Sequence, residues 1–458
     1  MKVTLIVAVL CLGLTNSFAQ SQEECTTKLS IFHEYVKAKN YEAAYTPWME
    51  VRTTCPKFNK AIHIDGNKIL DYKIENATAA EKKAYIEDLM KLWDEEALNF
   101  PSRSTQGELL AKKGQLMYDN KAVLSLSDLE VYNVFDSAYT TDPENFKNPK
   151  SLYTYFSLMV DLYDDQQKTA QDLFNKYDDV VERVDAEVEF CSENLNVIIE
   201  KEETGAALTS KEKQYKRYYE SYLDNYDKIG GSINAKLGER ANCENLIPLY
   251  EKDFEANKTN AVWLQRAAGK MSEKDCTSDP LFFKLVNAYH SLNPSANSAY
   301  YLGILKDKEN KSSEALKYYE QALSLETDSY KKAKLYSKIA DKLKRGNAYS
   351  KARNYYRQAL TLNPSNGRPY LQIAAMYAAS ANDCGTTTFN KRAVFWLAAD
   401  EASKAGRVDP TLKSHAAQSA ASYNAKAPQK SDIFSEGNTG QTIKIGCWIG
   451  SSVTVPNL

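Results

Sequence analysis

The sequence predicts an all-α protein built from stacked pairs of antiparallel helices, with a long helical hairpin inserted and a short β-hairpin near the C-terminus. Three observations predict this fold class. The 458 residues include only 18 Gly and 13 Pro, which is sparse for an all-β chain. Small and aromatic residues recur in similar units; Ala315 and Ala352 are 37 residues apart, slightly more than the usual repeat period of about 34. Elsewhere, apolar residues recur three and four positions apart, as on amphipathic helices.

The clearest repeat lies between Ala333 and Pro364. Its residues follow the order large, large, small, large, then Ala, aromatic, Ala and Pro: Tyr336, Ile339, Ala340, Leu343, Ala352, Tyr356, Ala359 and Pro364. Alanines are expected where two helices approach closely. Pro364 is expected to end the second helix, because the residue before a proline disfavours helical backbone.

Neighbouring segments repeat this scheme. The preceding unit contains Ala299, Leu302, Gly303, Ala315, Tyr319 and Ala322. The following unit, with an insertion around Ala381 to Phe389, contains Tyr370, Ile373, Ala374, Tyr377, Ala398, Ala405 and Pro410. A degenerate unit upstream contains Trp263, Ala268, Gly269, Ala288 and Pro294, and a terminal helix contains His415, Ala420 and Tyr423. We expect these units to form one stack.

One helix pair is also predicted near the N-terminus, between Cys25 and Cys55. Its pattern residues are Ile31, Tyr35, Tyr41, Ala44, Trp48 and Pro56. The start of the first helix meets the end of the second when two helices are antiparallel. We therefore predict a disulfide between Cys25 and Cys55.

The other cysteines allow two further disulfides. Cys243 and Cys276 are one repeat period apart and could join adjacent units, while Cys384 in the insertion could bond Cys447 in the tail. Cys191 is then the spare, a predicted buried thiol. Because there is no Cys-x-x-Cys pair and only 4 His, the sequence predicts no metal site.

The central region predicts amphipathic helices at Ser127 to Asp142 and Ser151 to Asp164. A long hairpin follows, with arms at Gln171 to Glu203 and Ser210 to Leu237. Asp161 to Glu189 is strongly acidic, and we interpret it as a solvated face of this hairpin.

In the tail, the spacing of apolar residues changes from the helical pattern to strict alternation. Thr442 to Ile449 alternates, and Val453 to Val455 follows a Gly-Ser-Ser turn, which predicts a small β-hairpin. We expect it to cap the terminal repeat; the alternative is that it adds a strand to a partner's sheet edge.

The first nineteen residues have the pattern of a secretory signal peptide. Lys2 supplies a positive charge, Leu5 to Leu14 is apolar, and the small Ser17 and Ala19 suit cleavage after Ala19. No later segment approaches the length of a membrane-spanning helix, so we predict an exported protein without a transmembrane anchor. The predicted organisation is signal peptide 1–19, N-terminal helix pairs 20–125, a helical region with the long hairpin 126–240, C-terminal repeats 241–430 and tail 431–458.

The repeat residues resemble the tetratricopeptide-repeat family across about Asn260 to Tyr423, and the whole exported chain resembles repeat proteins of Gram-negative bacterial envelopes. The resemblance implies a right-handed helical solenoid whose concave face is lined by the first helix of each pair. On this chain that face comprises Tyr300, Tyr301, Ile304, Lys334, Lys338, Arg345, Arg368 and Gln372.

This concave face is the predicted partner-binding site. Between Lys331 and Arg357 the chain has ten Lys or Arg residues and one acid, Asp341. Such a surface should attract an acidic or extended protein segment through charge-assisted hydrogen bonds. It partly resembles the family's carboxylate clamp, although Ile304 and Ser337 stand near where that clamp has asparagines. The alternative is that these charges only keep the helices soluble.

The sequence contains no nucleotide-binding loop, no zinc-protease motif and no nucleophile elbow, so no enzyme is predicted. The net charge of -2 gives no drive towards nucleic acid. We predict a cofactor-free scaffold or adaptor for proteins in the cell envelope. It would be periplasmic or associated with the outer membrane, rather than fully secreted, within assembly, secretion or motility machinery. The alternative is a glycan- or nutrient-capture protein on the same repeats.

Overall fold

The structure is a computed structural model that describes residues 23–458, so the predicted signal peptide lies outside it. The first helices are α1 (23–37), α2 (Tyr41–Thr54), α3 (Ala61–Asn76), α4 (Ala79–Asn99), α5 (Gln106–Asp119), α6 (Lys121–Leu124), α7 (Asp128–Thr141), α8 (Pro149–Asp164), α9 (Ala170–Glu203), α10 (Ser210–Leu237) and α11 (Cys243–Asn257). They are followed by α12 (Ala261–Glu273), α13 (Pro280–Leu292), α14 (Ala296–Lys308), α15 (Ser312–Leu325), α16 (Ser329–Arg345), α17 (Tyr349–Leu362), α18 (Arg368–Ala379), α19 (Ala381–Cys384), α20 (Thr388–Val408), α21 (Lys413–Lys426) and α22 (Lys430–Glu436). Single 3-10 turns lie at Pro143–Asn145, Gly238–Ala241 and Pro410–Leu412. Between residues 23 and 458, no helix combines the length and apolar character that crossing a membrane requires.

The described residues form two compact units that divide within α9, after Lys176. In the first unit, successive helices pack around a core that includes Trp48, which is fully buried. The indole nitrogen of Trp48 donates to the carbonyl of Ile62 at 2.7 Å. Gly66 lies against the ring, where an added Cβ would come within 2.5 Å of it.

The second unit contains the predicted repeats as antiparallel pairs: α12 with α13, α14 with α15, α16 with α17, and α18 with α20. The pattern alanines are at most 2% exposed: Ala315, Ala322, Ala340, Ala352, Ala359, Ala374, Ala398 and Ala405. The turns inside three pairs each contain one left-handed residue, Asp275, Asn310 or Asn347, a conformation that Asn and Asp tolerate better than most residues. The predicted fold class of stacked helix pairs with a C-terminal hairpin is confirmed.

A close approach within the α14–α15 pair shows why one repeat position is glycine. A Cβ added to Gly303 would lie 2.3 Å from Cε1 of Tyr319. Tyr319 is 2% exposed, and its hydroxyl donates to Asp307 at 2.5 Å, so the ring is held from both ends. The two helices can pack this closely only because Gly303 has no side chain.

We therefore expect Gly303→Ala to lower the free energy of unfolding by about 1–3 kcal/mol through overpacking. Gly230→Ala is the matched control, because Gly230 lies within α10 with nothing within 4 Å of its added Cβ. That change should stabilise the protein by about 0.5–1 kcal/mol through helix propensity. Urea denaturation measures both, and equal effects of the two variants would contradict the packing argument.

The cysteines form three disulfides, which are the pairs considered from the sequence. The Cα–Cα distances are 6.4 Å for Cys25–Cys55, 5.6 Å for Cys243–Cys276 and 5.1 Å for Cys384–Cys447. Cys191 lies outside these pairs and is 1% exposed on α9.

The tail forms the predicted β-hairpin, with β1 (Thr442–Ile445) antiparallel to β2 (Ser451–Thr454). β1 ends four residues earlier than the alternating pattern predicts. The amide of Gly446 turns aside to donate to the carbonyl of Cys384 at 3.3 Å, beside the disulfide at the next residue. The buried Ile445 and Ile449 belong to the core of the last helix pairs, so the hairpin docks as a cap.

Candidate functional site: a basic row and an acidic stripe

The residues predicted for the concave face fall into two groups. Tyr300, Tyr301 and Ile304 on α14 are 7%, 8% and 1% exposed, so they form packing beneath the surface. Burial raises the pKa of both tyrosines. The Lys338 ammonium lies 5.7 Å from the centre of the Tyr300 ring, so the buried aromatic group supports the cation above it.

The cations of α16 form one face of the helix, since Lys334, Lys338, Lys342 and Arg345 are three or four positions apart. Lys334 donates to Asp185 at 3.1 Å. The other three, with Arg368 at the start of α18, have no ion pair within 4.0 Å anywhere in residues 23–458. We call Lys338, Lys342, Arg345 and Arg368 the basic row.

The basic row continues from α16 to α18. Arg345 and Arg368 both act electrostatically on Tyr356; burial raises its pKa, and the two positive charges oppose that rise. Gln372, the last predicted residue, accepts a hydrogen bond from Lys344. Gln372 is thus already engaged by a neighbouring cation.

The counter-charges of the basic row lie beyond ion-pair distance: Asp185 and Glu273 act on Lys338, and Asp275 and Asp307 act on Lys342. Lys338 is accessible to water, yet protein atoms surround it closely enough for desolvation to lower its pKa, and the charge of Lys334 lowers it further. Desolvation also lowers the pKa of Lys342, with Arg345 adding repulsion. A bound anionic ligand would favour the charged form of both lysines and so raise both pKa values again.

The acidic residues of α9 lie against first helices of the repeats. Asp178, Glu182, Asp185 and Glu189, which we call the acidic stripe, are three or four positions apart. Arg266 of α12 pairs with Glu182 at 2.8 Å, and Lys334 of α16 pairs with Asp185. Further along α9, the side-chain oxygen of Asn196 accepts from the amide of Ser365 at 2.9 Å, just before α18.

The predicted solvated face of α9 is confirmed at Glu182 and Asp185, which are 59% and 55% exposed, and is wrong at Asp178, which is 14% exposed. The acidic stripe also forms ion pairs, because cations on α12 and α16 lie at matching intervals along α9. The 3–4 spacing of the acids was the only local signal for this contact. Nothing local identified Arg266 or Lys270 as its partners.

The most buried part of this contact is centred on Lys270, which is 4% exposed. Its ammonium lies 3.5 Å from the centre of the Tyr177 ring, 3.0 Å from Glu273 and 3.6 Å from Asp178. Burial raises the pKa of Asp178 to about 6, although Lys270 and Arg266 oppose the rise. This network fixes α9 against α12.

The stacked antiparallel helix pairs give the described residues a tetratricopeptide-type solenoid fold. In the part of the chain that the structure describes, no group of three or more His, Cys, Asp or Glu could hold a metal ion.

Comparisons with known proteins find only distant resemblance. The profile of one family, described as the Est1 DNA/RNA binding domain, matches residues 352–397. No curated protein matches the sequence. Solved structures that resemble it include a tetratricopeptide repeat protein from Parabacteroides merdae, with 10% identity over 69% of this chain and 97% of that chain and a TM-score of 0.23. Human IFIT1 bound to m7Gppp-AAAA has 15% identity over 80% of this chain and 74% of its own, with a TM-score of 0.31. Yeast Tom70 has 13% identity over 89% of this chain and 77% of its own, with a TM-score of 0.26. Resemblance this distant carries no inference about function.

Proposed function

We propose that this protein is a non-enzymatic scaffold that binds an acidic segment of a partner protein on the basic row. One observation carries the proposal: the chain's own acidic stripe binds cations of the same set of first helices. Carboxylates on a helix therefore already match this surface in spacing and in charge. The basic row extends that surface along α16 and α18 with cations that have no carboxylate within 4.0 Å in residues 23–458.

The expected affinity comes from several contacts acting together. A single exposed ion pair contributes only about 0–1 kcal/mol, so one carboxylate would not be retained. Lys338 and Lys342 are partly desolvated, which strengthens charge-assisted hydrogen bonds to an incoming carboxylate. A segment that reaches Lys338, Arg345 and Arg368 at once would bind specifically, and its binding would weaken with salt.

The test is titration of the purified protein with a short fluorescein-labelled peptide rich in Asp and Glu. The variant Lys338→Glu/Arg345→Glu/Arg368→Glu should weaken binding by about 100-fold or more, because three attractions become repulsions. The control is Lys252→Glu/Lys284→Glu/Lys317→Glu, which makes the same change in net charge on α11, α13 and α15. It should retain affinity within about threefold.

Equal losses in the two triple variants would mean that the peptide responds only to net charge, and the proposal would fail. It would also fail if the wild-type protein bound no acidic peptide at low salt.

We further propose that the scaffold works outside the cytoplasm, as an adaptor in the cell envelope. The three disulfides support this location, since such bonds persist in oxidising compartments and are rare in the cytosol. Assembly, secretion and motility machineries of the envelope are the setting that the sequence resemblance suggests.

A further inference from the structure

A cavity of about 790 Å³ opens beside the basic row. Residues from α14, α15, α16 and the start of α17 line it, and Trp448 of the C-terminal cap forms one wall. Lys342 and Arg345 belong both to the basic row and to this lining. The row and the cavity, which we call the Trp448 pocket, are therefore continuous.

The aromatic wall of the Trp448 pocket is held in place from several sides. The Trp448 indole nitrogen donates to the Ser380 hydroxyl at 2.9 Å, and the preceding residue is disulfide-bonded to Cys384. The ring centre of Tyr349, a second lining residue, is 5.5 Å from that of Trp448. The Arg353 guanidinium lies 5.4 Å from the Trp448 ring centre. A ligand would meet a wall that is already ordered.

The rest of the lining combines apolar groups with an excess of positive charge. Leu316 and Leu343 contribute apolar surface, and the buried Ile304 lies beneath them. The cations are Lys308, Lys342, Arg345 and Lys351, and none has an ion pair within 4.0 Å in residues 23–458. The single acid, Asp307, already accepts from the Tyr319 hydroxyl at 2.5 Å. The site suits a ligand with an apolar part and a nearby negative charge.

We infer that the Trp448 pocket binds a large apolar side chain of the acidic segment that occupies the basic row. This inference rests on the proposed function and adds its specificity: a bulky aromatic or aliphatic residue flanked by carboxylates. Continuity through Lys342 and Arg345 favours one partner segment spanning both surfaces. Burial of the apolar side chain against Trp448 and Tyr349 then selects among acidic sequences that the charges alone cannot distinguish.

The test uses two labelled acidic peptides that differ only at one central position, Trp in one and Ala in the other. The wild-type protein should bind the Trp peptide about tenfold or more tightly than the Ala peptide. Trp448→Ala should remove this preference. Ser313→Trp should also remove it by filling the opening from α15 without altering the tail, since Ser313 is an exposed lining residue.

Ser324→Trp is the matched control, because Ser324 is exposed on α15 but does not line the pocket. It should keep the tenfold preference. The inference is overturned if the wild-type protein binds both peptides equally while charge reversal of the basic row still weakens binding. If neither peptide responds to charge reversal, the proposed function itself fails, so the two failures are distinguishable.

Discussion

Replacing Cys384 and Cys447 by alanine is expected to lower the free energy of unfolding by about 4 kcal/mol. The bond joins residues 63 positions apart, and the entropy gained by the unfolded chain grows with the length of the opened loop. The cap should also loosen, because only noncovalent contacts would then hold it, among them the buried Ile445 and Ile449 and the Trp448–Ser380 hydrogen bond. Urea denaturation measures the first effect, and amide hydrogen exchange across residues 442–454 measures the second.

The control for this variant is Cys243→Ala/Cys276→Ala. That pair is 33 positions apart, so its removal should destabilise the protein by a similar but smaller amount, about 3.5 kcal/mol. It should leave exchange in the cap unchanged, because the bond lies on other elements. Exchange in β1 and β2 that is unaffected by loss of the Cys384–Cys447 bond would contradict the role assigned to it.

The second large effect is expected at Lys270. Lys270→Met should cost about 3–5 kcal/mol at about pH 8, because it removes a cation and leaves the Asp178 carboxylate buried beside it. Asp178 is only 14% exposed, and its pKa of about 6 already reflects that burial. Glu273, at 45% exposed, can remain solvated without Lys270. The penalty therefore arises mainly from Asp178.

This cost should shrink as the pH falls. The pKa of Asp178 is raised above its ordinary value of 3.8 in the folded protein, so the destabilisation from its charge is present above the folded pKa. It disappears as the carboxyl protonates. Loss of Lys270 raises the pKa of Asp178 further, so the destabilisation disappears at a higher pH than it would with Lys270 present. Denaturation curves of Lys270→Met between about pH 8 and about pH 5 should show the cost declining.

Two controls accompany Lys270→Met. Asp178→Asn/Lys270→Met should recover most of the lost stability, because it removes the buried charge together with its partner. Lys317→Met, at an exposed position of α15, should change stability by no more than about 0.5 kcal/mol. A pH-independent cost would show that lost packing, and not an unpaired Asp178, explains the effect.

The repeat architecture was predictable because its signals are local. Ala352 and Ala359 are small where α17 must approach its neighbours, and α17 ends at Leu362, two residues before Pro364, as predicted. The arms of the long hairpin agree with the pattern to within one residue, and Gly205 has the positive φ of 77° that the turn requires. Each of these features depends on residues that are neighbours in sequence.

The surroundings of the candidate site were not predictable in the same way. A hydrophobicity pattern indicates that one face of α9 is buried. A row of carboxylates, however, has the same sequence pattern whether the side chains are solvated or paired with cations distant in sequence. Asp185 and Lys334 are 149 positions apart, so no local pattern relates them. The burial of Tyr301 was not predicted either, because it depends on contacts with other helices.

The helix α22 was not predicted for a different reason. It has only seven residues, too few for a helical period to be recognised.

The docking of α9 has a consequence for how the repeats unfold. In a simple solenoid each unit contacts only its neighbours, so the array can fray from its ends. Here one 34-residue helix is bonded to α12, to α16 and to the segment before α18, and it therefore couples units that are not adjacent. Such a brace raises the contact order and favours slower, more cooperative folding of the whole array.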